Sequence, residues 1–139
     1  MKKIIALISA ILLLMLPFTS SYAASKTAKF TVTVSSKLVS NNSVGHDWSL
    51  THTINGKEYF KKSDKATITL TQGEKIKIVT KAIENDSYPD IGENTYEFTL
   101  TSDFFSGGFY ATVEVTVIEN KGRYKNNAAV WEVTYDFNR

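Results

Sequence analysis

Phe109-Tyr110-Ala111-Thr112-Val113-Glu114-Val115-Thr116-Val117-Ile118 is the stretch that decides the fold. Phe109, Ala111, Val113, Val115 and Val117 fall on one side of an extended chain, and Tyr110, Thr112, Glu114 and Thr116 on the other. A period of two, with aliphatics facing β-branched and polar residues, is that of a strand with one face on a core and one in water. Working outward, the same period recurs on both sides. Trp131, Val133, Tyr135 and Phe137 alternate after a basic, amide-rich turn from Glu119 to Asn127, and Thr95 to Thr101 alternates before the connection Ser102 to Gly108.

Further back, Glu74 to Ile83, Ala66 to Thr71, Lys57 to Phe60, Trp48 to Ile54 and Phe30 to Ser35 complete the set. Asn55-Gly56 between two of these runs is a strong two-residue hairpin signal, because both residues accept positive φ. Gln72-Gly73 marks another turn, and Val39 to His46 reads as a polar loop. Eight such runs without a helical period predict an all-β chain, an eight-stranded antiparallel β-sandwich.

The first residues belong to something else. Lys2-Lys3, an apolar run from Ile4 to Leu16, Pro17 and the small residues around Ser21-Tyr22-Ala23-Ala24 have the three parts of a secretory signal peptide. Residues 1–24 are therefore expected to be cleaved, and residues 25–139 to form a single domain of about 115 residues, enough for one core. The basic n-region and short apolar core are bacterial in style, and the expected location is secreted, extracellular.

Composition narrows the function. Lys2 and Lys3 leave with the leader, so the sixteen basic residues become fourteen and balance the fourteen acidic ones. A nucleic-acid partner is not expected of such a chain. Lys57, Lys61, Lys62 and Lys65 cluster, as a solvated strand edge does. There is no cysteine, which removes disulfides, thiolate metal sites and thiol catalysis together. The two histidines divide: His52 shares a face with Trp48, Leu50 and Ile54 and reads as structural, while His46 lies in a loop beside Asp47. No nucleophile elbow, His-Glu-x-x-His pair or phosphate-cradling loop is present, and the reading is a non-enzymatic binding module.

Two features suggest where it binds. Ile83-Glu84-Asn85-Asp86-Ser87-Tyr88-Pro89-Asp90-Ile91-Gly92-Glu93 gathers carboxylates between two strands. By strand parity it shares an end of the sandwich with the first loop, which holds Asn42 and Asp47. Calcium takes six to eight oxygens, and Asn42, Asp47, Glu84, Asp86 and Asp90 are the candidate metal ligands. Asp86, Ser87 and Asp90 equally suit tight-turn capping by their side-chain oxygens. The alternative site is aromatic: Phe104, Phe105 and Tyr110 flank Ser106-Gly107-Gly108 at the opposite end. Exposed there, they would form a calcium-independent platform for adhesion or carbohydrate binding; folded inward, they would plug the core.

Asn42-Ser43-Val44-Gly45-His46-Asp47-Trp48, then a strand and Ile54-Asn55-Gly56-Lys57, resembles the first calcium loop and following hairpin of C2 domains. Glu84-Asn85-Asp86-Ser87-Tyr88-Pro89-Asp90-Ile91-Gly92 is similar to their D-x-D loop. The resemblance implies a C2-like sandwich, with an immunoglobulin-like one as the alternative. It also implies calcium at the loop tips, engaging phospholipid or another protein; with the aromatic alternative included, the expected partner is an extracellular protein, glycan or lipid surface. In that likeness Asn42 and Asp47 would be first-loop ligands and Glu84, Asp86 and Asp90 third-loop ligands.

Overall fold

Two four-stranded antiparallel sheets face each other in a computed structural model that describes residues 24–139. The expected leader falls on residues outside that range, apart from Ala24. The strands are β1 (Thr27–Asn41), β2 (Trp48–Ile54), β3 (Lys57–Glu58), β4 (Lys65–Thr71), β5 (Lys75–Glu84), β6 (Asp90–Thr99), β7 (Phe109–Ile118) and β8 (Ala128–Asn138). One sheet has the order β4-β1-β8-β7 and the other β3-β2-β5-β6. The eight-stranded all-β sandwich expected from the alternation is the architecture found.

The core is what that alternation buries. Phe30, Val32, Val113, Val115, Val133, Tyr135 and Phe137 from one sheet meet Ile54, Ile76, Ile78 and Ala82 from the other. Along the inward face of β5 the residues run Ile76, Ile78, Thr80, Ala82, Glu84, so the interior passes from hydrocarbon to carboxylate over one strand. The lower pole is closed by aromatics. Phe105, on a short 3-10 turn at Ser102–Phe105, meets Phe30 edge to face at 5.6 Å, and Phe109 stacks on Phe137 at 4.4 Å.

At the midlevel, Tyr135 carries its hydroxyl into the interior and shares it between two partners. His52 Nδ1 lies 2.9 Å from it and Thr80 Oγ1 2.6 Å. Burial lowers the pKa of His52, with nearby Glu58 opposing weakly, and burial pushes the Tyr135 phenol up to about 12. His52 is thus the structural histidine its place in the alternation indicated.

Several boundaries differ from the sequence reading, and three of the differences have a tertiary cause. β1 continues to Asn41 because β8 pairs with it beyond a bulge at Val39. β3 stops after Glu58, since Tyr59 and Phe60 leave the sheet and Phe60 lays its ring against His52 and Tyr135. β6 starts at Asp90 rather than Thr95, because Asp90 to Asn94 pair with Thr80 to Glu84. Gly92 makes that start possible. It passes so close to β7 that a Cβ would collide with the Thr116 carbonyl. Asn94 Nδ2 donates to the Glu114 carbonyl at 2.7 Å and joins the two sheets along that edge.

Candidate functional site

The acidic loop and the first loop meet at the upper pole, where Asn85 N–H donates to the Asp47 carbonyl at 2.6 Å. A third loop joins them. The β7–β8 connection, Glu119 to Asn127, reaches the same pole, and its Asn120 N–H donates to Asp90 Oδ1 at 3.0 Å. The three loops enclose a cleft of about 930 Å³ lined by residues that include Asp47, Glu84, Asp86, Tyr88, Glu119 and Lys121.

Each loop is shaped by its own short-range hydrogen bonds. In the first, Asn41 Nδ2 donates to the Gly45 carbonyl at 2.7 Å and Asn41 Oδ1 accepts from Val44 N–H at 2.9 Å. Gly45, at φ +131°, lies against Glu84 so closely that a Cβ would collide with its carboxylate. In the second, Asp86 Oδ1 accepts Tyr88 N–H at 2.6 Å, an Asx turn. In the third, Asn126 N–H donates to the Glu119 carbonyl at 2.8 Å and Glu119 N–H to the Asn127 carbonyl at 2.9 Å.

The proposed ligands part into two groups. Asn42, Asp47 and Asp86 are exposed, the last two lining the cleft, whereas Glu84 and Asp90 are buried, at 4% and 0% exposure, and of these Glu84 lines it. Glu84 and Asp90 are directly paired across β5 and β6 and both point inward, which sets their Cβ atoms about 5 Å apart. Asp90 Oδ2 and Glu84 Oε2 are buried without a hydrogen-bond partner among the described residues. Among the described residues neither carboxylate forms an ion pair; the ion pairs lie elsewhere, as Lys61 with Glu58 and Lys75 and Lys77 with Glu97.

Glu119, which the sequence reading left out, stands beside these acids. Partial burial first, then the neighbouring Asp90 carboxylate and more distant Asp86, raise its carboxyl above the usual range. Lys121 and Tyr88 were also missed: the Lys121 ammonium sits over the Tyr88 ring at 4.1 Å from its centre. Strand parity could have found this loop, since an even number of strands separates it from each of the other two.

As a coordination set the pole is open. Among the described residues no three His, Asp or Glu side chains draw together into a metal-holding cluster. The oxygen-only donor chemistry and two orphaned buried oxygens nonetheless fit a hard cation completed by backbone carbonyls and water.

The aromatic alternative fares differently. Phe105 is buried at 3%, and half-buried Phe104 packs on Phe109 at 4.5 Å and on Phe98 at 5.7 Å. They are the plug of the lower pole and not an exposed platform, because the turn of Ser102–Phe105 folds both rings onto the open end of the core. Tyr110, at 76% exposure, is the member of that trio left in solvent.

Compared with known proteins, the chain matches no family, no curated protein and no solved structure.

Proposed function

We propose that this chain is an exported, non-enzymatic binding module whose three-loop pole takes a cation, calcium being the one its chemistry suits. In that reading the pole then engages a protein, glycan or lipid surface outside the cell. One observation carries the reading: Glu84 and Asp90 stand side by side, buried, each with one oxygen that has no hydrogen-bond partner among the described residues. Holding two neighbouring carboxylates in the interior without a counter-charge costs several kcal/mol per ion, and a bound cation relieves it. Glu84 and Asp90 would supply the inner oxygens, completed by backbone carbonyls and water, and a calcium ion would bring positive charge directly beside that pair. The C2-like resemblance of the first two loops, the two four-stranded sheets and the meeting of those loops at one pole all support this reading.

The test is a thermal melt of residues 25–139 with and without millimolar calcium. Calcium is expected to raise the midpoint. Glu84→Gln should melt higher than wild type in chelator, having lost one of two like charges, and should lose most of the calcium response. Asp86→Asn keeps an oxygen for the Tyr88 turn and should weaken the response without harming the fold. A wild-type midpoint indifferent to calcium would defeat the proposal.

A further inference from the structure

The third loop brings a positive charge of its own into this acidic cleft. Lys121 is one residue beyond Asn120, whose N–H is pinned to Asp90, and hydrogen bonds across the loop base fix where its side chain begins. Its ammonium does not close on a carboxylate. Among the described residues Lys121 forms no ion pair, and its Nζ rests instead on the face of Tyr88. Tyr88 is itself oriented by the Asp86 turn. Lys121, Tyr88, Glu84, Asp86 and Glu119 therefore line one cleft, with the lysine charge resting on the ring of Tyr88.

We infer that Lys121 is a tethered counter-ion that a cation entering the pole must displace, so that Lys121 and Tyr88 together set the concentration at which the site fills. This rests on the cation-binding reading of the pole given above. The hold of an exposed ammonium on a phenol ring is weak and is screened by salt, which makes it reversible. Lys121 nevertheless lines the same cleft as Glu84, Asp86 and Glu119. A divalent ion at Glu84 would repel the ammonium and push it toward solvent, and Lys121 is exposed enough to go there without strain elsewhere.

The experiment is a calcium titration of residues 25–139 followed by tyrosine emission and by calorimetry, with Lys121→Met and Lys121→Arg alongside wild type. Removing the charge should tighten the calcium midpoint by about threefold to tenfold. Lys121→Arg, which keeps both the charge and the ring contact, should leave it near wild type. A second readout follows the lysine directly: ring-current-shifted Lys121 side-chain protons should return to ordinary positions as calcium is added. If wild type binds calcium but Lys121→Met has an unchanged midpoint, or the Lys121 protons stay shifted at saturation, the counter-ion role is overturned and the pole reading survives. If wild type gives no calcium heat or emission change, both fall together.

Discussion

Replacing Tyr135 by Phe removes one oxygen from the middle of the sandwich and strands two groups. His52 Nδ1 and Thr80 Oγ1 each lose a buried partner, at about 1–3 kcal/mol apiece. Sparing the phenol its own desolvation returns about 1 kcal/mol. The ring stays, so packing against Phe60 and the core is unchanged, and the net expectation is a loss of about 1–5 kcal/mol. Against a domain stability of about 5–15 kcal/mol that is a large fraction. Urea denaturation at pH 7.5, read by circular dichroism, should show the midpoint falling with the slope unchanged. Adding Thr80→Val to the variant removes one of the stranded groups at nearly constant shape and should recover part of the loss. A Tyr135→Phe midpoint within about 0.5 kcal/mol of wild type would refute the reasoning, as would a double variant that is simply the sum of two losses.

Acid should act through the same network. The unfolded chain protonates His52 around its ordinary 6.5, while burial holds the folded form below that. Between those two values the unfolded state carries more protons, so stability falls as pH drops through 6.5 toward the folded value. His52→Gln should flatten that part of the pH profile, measured as urea midpoints from pH 7.5 to 5. At the lower pole, Phe105→Ala should cost about 3–5 kcal/mol, whereas Tyr110→Ser should stay within about 0.5 kcal/mol; near-equal effects in thermal melts would contradict the plug.

The sandwich was legible because nearly every strand has one wet face. Phe109 to Ile118 declares itself by period alone and is found with the bounds read from sequence. Ile91-Gly92-Glu93-Asn94 does not, since a glycine and two polar residues look like loop; only the approach of Thr116 explains why a strand there needs them. At the pole, residue type drew attention to Glu84, Asp86 and Asp90, but it could not separate the buried pair from the exposed turn-former. That separation comes from register, which sets Glu84 opposite Asp90 on the inward side. Asn41 rather than Asn42 shapes the first loop, a one-residue difference fixed by the pairing of β1 with β8 past the bulge. Phe104 and Phe105 were ambiguous for a plainer reason: two adjacent aromatics beside Gly107-Gly108 suit a plug or a platform equally until the turn preceding them is known.

The passage from Ile76 to Glu84 along a single inward face divides labour within the molecule. The large rings are concentrated where the phenylalanines lie, while smaller side chains, Val44, Val117 and Ala129, close the packing at the far end. The exposed residues from Lys121 to Lys125 can take altered chemistry at little cost to that packing. A lineage building on this scaffold would vary its sequence there while leaving the aromatic floor alone.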